Sequence, residues 1–373
     1  MQKTRRLVLV LPGGIALLFG LDAALLLLGL PAPLTTERLP DIHGMLLVLG
    51  FVGTLVSAER AVALRRWWGF SAPAAYGAGA IALLTPMPIE LGKGLFVAGG
   101  VALLGVYRGL WRRQAAAAIA MQIVGAGLAL GGAILWLAGM PIASTLPWLV
   151  GFLVATIAGE RVELSRVGGV TPAHEALALG VTWALAAGVL AATLWPGVGH
   201  ALLGAALLAL VAWLVRHDVA RRTVSGTGAP RFMAWCLLGG YVWLTVAGLI
   251  WLLAGNVTEG AAYDAVVHAV FLGFVLSMIM AHASVILPAV LRTPLPYHRA
   301  FYGPVIGLHA SLALRLLVGD LKGQAWALEL GGALNIVSVL LFFVFAATSG
   351  VVAARARPVL HVTPNEPRLE SVP

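Results

Sequence analysis

The chain has 373 residues, 60% of them hydrophobic and 10% charged, with a formal net charge of +9. Apolar runs of membrane-crossing length, separated by short polar breaks, define an all-α integral membrane protein; the lack of strict alternation excludes a transmembrane β-barrel. Arginines and lysines fall at helix ends and form no basic stripe interleaved with aromatics, so the charge does not indicate nucleic-acid binding, and the single cysteine, Cys236, excludes a disulfide framework and a thiolate metal cluster.

In chain order the pattern predicts twelve transmembrane helices, near 8–30, 42–64, 69–86, 93–110, 114–138, 146–166, 174–194, 199–216, 231–254, 262–291, 300–318 and 325–350. Residues 1–357 read as one membrane domain, and 358–373, polar and containing prolines, as a short disordered cytoplasmic tail. The first apolar run exceeds signal-peptide length and reads as a retained helix. With twelve helices, Lys3, Arg5, Arg6, Arg65, Arg66, Arg108, Arg112, Arg113, Arg166, Arg216, Arg221, Arg222, Arg231, Arg292, Arg299, Arg355 and Arg357 share one face. Only Arg38, Lys93, Arg315 and Lys322 fall on the other. The positive-inside rule then places both termini in the cytoplasm, as expected for the inner (plasma) membrane of a bacterium or archaeon.

A repeat runs through the apolar sequence. The segment from Leu49 to Arg60 (L-G-F-V-G-T-L-V-S-A-E-R) matches that from Val150 to Arg161 (V-G-F-L-V-A-T-I-A-G-E-R), and Leu272 to His282 (L-G-F-V-L-S-M-I-M-A-H) keeps the frame. Aligning the Gly-Phe pairs superposes Glu59, Glu160 and His282 in helices two, six and ten. The expected architecture is therefore three pseudosymmetric units of four helices, with functional groups where the units meet.

Two histidines open apolar helices: His43 in H-G-M-L-L-V-L-G-F and His268 in H-A-V-F-L-G-F. Imidazole in a lipid-embedded bundle is costly without a partner, and a heme iron can be shared by two. Gly44 and Ala269 would let a flat macrocycle approach the backbone, and Asp41 is the candidate to orient His43. Interfacial histidines bonded to loops are the plain alternative. Arg315, expected at the same level, could hold heme propionates or snorkel to the interface. Asp22 lies about 13 Å inside helix one by helical rise, as a proton-path residue or a partner for Arg315.

Glu59 and His282 lie about 24 and 21 Å along their helices from His43 and His268, too far to join them. With Glu160, and with His309 as a fourth ligand, they form a candidate inner site for a second metal such as iron, copper or zinc, or a proton relay. The plain alternative is a set of carboxylates paired with Arg60 and Arg161 of neighbouring helices, since adjacent residues on one helix do not face each other. Asn335 is expected to tie helices together.

These features resemble the NnrS family, membrane proteins associated with the nitric oxide response, and more distantly the large subunit of heme-copper oxidases. The resemblance rests on His43 seven residues before Gly50-Phe51, His268 five before Gly273, and the L-A-L-R ending from Leu312 to Arg315. It implies a b-type heme bound by His43 and His268, a quinol or cytochrome electron donor, and a small gas ligand such as nitric oxide. The chain departs from the family in helix two, where Met45 replaces a second histidine, and lacks the G-H-T-G-R block. An oxygen-reducing oxidase would need copper-ligating histidines in helices six and seven. Helix six has none, and His174 stands at the mouth of helix seven. The expected function is a heme-binding membrane protein in electron transfer or the nitric oxide response. The alternatives are a cation- or proton-coupled secondary transporter using Glu59, Glu160 and His282, and a cofactor-free scaffold for a respiratory complex.

Overall fold

The computed structural model describes residues 3–291 and 295–355. The predicted tail at 358–373, Arg292 and Arg357 lie outside them. Among the described residues, besides a four-residue helical turn at Ala220–Thr223, twelve helices follow one another: α1 (Lys3–Leu27), α2 (Arg38–Leu64), α3 (Ser71–Leu84), α4 (Ile89–Trp111), α5 (Ala117–Leu137), α6 (Ile142–Ser165), α7 (Pro172–Leu194), α8 (Pro196–His217), α9 (Gly228–Ala254), α10 (Gly260–Val285, running on to Leu291), α11 (Arg299–Asp320) and α12 (Ala325–Arg355). Eleven are long and apolar enough to cross a bilayer. The exception is α3, whose 14 residues follow a 3₁₀ turn at Trp67–Phe70. No strand occurs among the described residues.

Element boundaries differ from the sequence pattern where local chemistry intervenes. The first helix stops at Leu27 instead of residue 30. Gly29 takes φ +69°, the left-handed conformation that terminates a helix, and the Leu30 amide donates back to the Leu25 carbonyl. The second begins at Arg38 because Pro40 lies in its first turn, where a missing amide costs nothing.

The three units are visible in packing. In the first, α1, α2, α3 and α4 associate; α5 to α8 and α9 to α12 repeat the arrangement, and α4 meets α5, α8 meets α9, and α12 meets α1. The helices carrying the Gly-Phe repeat are the most enclosed. Buried residues make up 61, 72 and 72% of the best membrane windows of α2, α6 and α10, against 33–56% for the others.

The repeat glycines explain this. A Cβ at Gly50 would lie 3.0 Å from Ala80 of α3 and 3.1 Å from Ala16 of α1; at Gly151, 2.7 Å from Leu128 of α5 and 3.0 Å from Val189 of α7; at Gly273, 2.4 Å from Trp243 of α9. Each glycine thus lets its central helix approach the neighbours of its own unit, the usual use of small residues in membrane helices.

Three segments abandon α-helical winding. Residues Leu46–Gly53 of α2, Ala269–Leu276 of α10 and Leu314–Asp320 of α11 are π-helical, a form that recurs at functional sites. They begin just after His43, just after His268 and at the residue before Arg315. The corresponding stretch of α6 stays α-helical.

Candidate functional site

The outer cluster is built from α1, α2, α10 and α11. A Cβ at Gly20 would lie 2.5 Å from Leu47; with hydrogen there instead, α1 and α2 close up and the His43 ring reaches across to the Gly20 carbonyl. His43 Nδ1 donates to that oxygen at 2.8 Å, because a carbonyl can only accept. His268 Nδ1 donates to the Asp264 carbonyl at 2.9 Å, with Asp264 Oδ1 3.2 Å away. Both rings, when neutral, therefore carry the proton on Nδ1 and present an unprotonated Nε2. No hydrogen bond reaches either Nε2 among the described residues. This is the donor form that iron takes, with the second nitrogen oriented by a carbonyl or carboxylate. His43 lies within electrostatic reach of both His268 and Arg315.

Several expected roles move to other residues. Asp41 is exposed, and Gly20 takes its orienting role. Gly44 abuts Ile142 of α6 at 3.6 Å from an added Cβ. Arg315 is 7% exposed and grips Asp264 through two hydrogen bonds, Nε to Oδ2 at 2.9 Å and Nη2 to Oδ1 at 2.8 Å. It holds the carboxylate beside His268 instead of snorkelling, and its partner is not Asp22. The Asp22 Oδ1 receives the Leu34 amide at 3.4 Å, and its Oδ2 is buried without a partner. Asp320 stands beside Asp264 with its own Oδ2 buried and unpartnered. The signal for Asp264 was its position four residues before His268, one helical turn away.

At the arginine-rich end, Glu59, Glu160 and His282 all line one apolar cavity of about 420 Å³, together with Phe51, Thr156 and Phe343. Its mouth is bordered by Leu7, Leu11 and Leu18, which are exposed. The three groups do not make a metal cage. Arg60 Nη2 bridges the carboxylates, 2.5 Å from Glu59 and 3.4 Å from Glu160; its guanidinium holds the place a cation would need. Glu59 pairs with its immediate chain neighbour, contrary to expectation. His282 Nδ1 donates to Met278 at 2.8 Å, and its Nε2 accepts from Arg161 Nη1 at 2.9 Å, leaving no free ligand nitrogen. Among the described residues no three His, Cys, Asp or Glu side chains converge as a metal site. His309 lies elsewhere, against α9, accepting from Trp243 at Nδ1 (2.8 Å) and facing Ser277 with Nε2 at 3.4 Å. Its tautomer is the reverse of the ligand form.

Arg161 instead anchors a buried network that the sequence did not announce. Its Nε and Nη2 donate to Asp218 at 2.8 and 2.7 Å; the Tyr241 hydroxyl and the Ala220 amide add bonds of 2.5 and 2.8 Å. Asp218, just beyond α8, is 3% exposed. Burial alone would raise its pKa, but the Arg161 hydrogen bonds and charge, Tyr241 and Ala220 outweigh it and hold the carboxyl below its ordinary value. His174 stays at the mouth of α7, bonded to Thr171 and 4.6 Å from the His217 ring. Asn335 hydrogen-bonds Ser311 at 2.7 Å and ties α11 to α12.

Residues 6–351 match the model of a family described as a domain of unknown function, DUF8744. The chain belongs to that family. No curated protein and no solved structure matches it.

Proposed function

We propose that this chain is a heme-binding membrane protein, with a b-type heme held between α2 and α10 by His43 and His268, serving electron transfer or the nitric oxide response in the manner of the NnrS and heme-copper-oxidase architecture. The observation that carries the reading is the matched pair of imidazoles, each with Nδ1–H tied to a carbonyl and Nε2 free. His43 makes its bond to another helix, so the ring is oriented across an interface and not only by its own turn. The onset of π winding on α2, α10 and α11 around this level supports a built site. The heme would supply one-electron chemistry.

What the chain itself provides is orientation and charge. Asp264 lies beside His268 and would strengthen its donation, and Arg315 holds that carboxylate in place. The apolar cavity below would admit a quinol from the lipid, with Glu160 as the proton acceptor in a relay toward the arginine-rich face. Bridged by Arg60, the same carboxylates favour this over cation transport.

An absorption spectrum of the purified protein tests the reading. A Soret band with sharp bands on reduction is the expected result, and a colourless protein from heme-replete cells would overturn it.

The same reading places both termini in the cytoplasm of an inner (plasma) membrane. Cysteines introduced singly at Ser225 and at Thr258 report on this in intact cells. The Thr258 variant should react with a membrane-impermeant maleimide and the Ser225 variant should not; the opposite pattern would invert the topology.

A further inference from the structure

The third unit departs from the packing of the other two. In the first two units the odd-numbered helices pack against each other, α1 on α3 and α5 on α7, whereas α9 and α11 barely touch. Between them lies a groove of about 1120 Å³ lined by Trp235, Val242, Val305 and Ile306, with Arg231 and Arg299 at one end. Trp235, Val242 and Ile306 are 53, 61 and 62% exposed, so the groove opens to the lipid along its length.

Its end has the opposite character. Arg231 and Arg299 are exposed and make no ion pair among the described residues. Beside them, α9 and α11 both begin, with the N-terminal amides of each carrying a partial positive charge. Tyr297, Tyr302 and Thr227 add hydroxyls to the same rim. Two unpaired guanidiniums, two helix starts and three hydroxyls favour an anion, while the body of the groove favours hydrocarbon.

We propose that this groove is a binding site for an anionic phospholipid, its headgroup phosphate on Arg231 and Arg299 and its acyl chains along Trp235, Val242 and Ile306. Charge complementarity selects the occupant. A zwitterionic lipid brings its own cation to the arginines, and a free phosphate leaves the apolar walls unused. Basic pockets between membrane helices on the positively charged side recognise anionic lipids on these terms. The lipid would take the place that helix-on-helix contact fills in the other two units, which makes it a structural part of the third unit. The inference does not depend on the heme.

The test is retention of dioleoylphosphatidylglycerol by the delipidated full-length protein in neutral detergent, against dioleoylphosphatidylcholine and inorganic phosphate. Phosphatidylglycerol should bind stoichiometrically and raise the thermal midpoint, and the other two should do neither. R231Q/R299Q should weaken binding roughly thirtyfold. A310W, which places an indole in the groove from an exposed position, should block the acyl chains while leaving the arginines intact. Equal retention of phosphatidylcholine, the same shift with inorganic phosphate, or unchanged binding in both variants would overturn the proposal.

Discussion

Asp218→Asn is expected to destabilise the protein by about 3 to 5 kcal/mol, the cost of breaking one partner of a buried ion pair. Arg161 is 4% exposed and makes two charge-assisted bonds to this carboxylate. With asparagine it keeps its charge and loses the only counter-charge in direct contact among the described residues. The loss should spread. Arg161 also donates to His282, and the Asp218 oxygens accept from Tyr241 and Ala220, so α6, α9, α10 and the α8–α9 connection are tied through one group.

Thermal unfolding in detergent reads the effect, and a double cycle with Arg161→Gln isolates the pair. The double variant should cost clearly less than the sum, because the second change removes an already unpaired charge. Additive losses would show that the bonds do not act as a unit. The pH dependence has a fixed sign. The folded pKa of Asp218 is lowered, so its contribution is complete above the unfolded value near 3.8 and fades as pH falls from there through the folded value.

Asp218 also shows where sequence reading ends. The twelve helices were legible because lipid demands long apolar runs with satisfied backbones, and that demand is written in local composition. The repeat was legible because Gly50, Gly151 and Gly273 each solve the same close-packing problem at the same place in a unit. Asp218 stands in a connection between helices, where a carboxylate ordinarily meets water, and its burial depends on that connection folding back under α6. Nothing in H-D-V-A-R-R records that fold. Arg60 was legible as a partner for a carboxylate of another helix, but its pairing with Glu59 was hidden for a different reason. It follows Glu59 directly, and helix geometry argues against adjacent partners, yet a long guanidinium can curl back while also reaching Glu160 on another helix. The Gly20 carbonyl carried no signal at all, since any residue has one; only the missing side chain there hinted at a close approach.

If the proposed heme is held by His43 and His268, His43→Ala and His268→Ala should each abolish its low-spin, six-coordinate spectrum. In the proposed site the two imidazoles would be the iron's protein ligands and would give it a strong field, so removing one should yield a high-spin centre or no heme at all. The two variants should differ in a way the hydrogen bonds dictate. His43 is oriented from α1 by Gly20, whereas His268 belongs to a cluster in which Asp264 and Arg315 stay paired without it. His268→Ala should therefore leave a better-formed vacancy and recover the low-spin bands when imidazole is added, a readout that simple misfolding would not restore. Asp264→Asn keeps the ring but weakens its partner, so heme affinity should fall about 10- to 100-fold with the low-spin signature retained in what remains bound. An unchanged low-spin spectrum in both histidine variants would place the iron elsewhere, and loss in only one would mean that a single helix supplies the protein ligand.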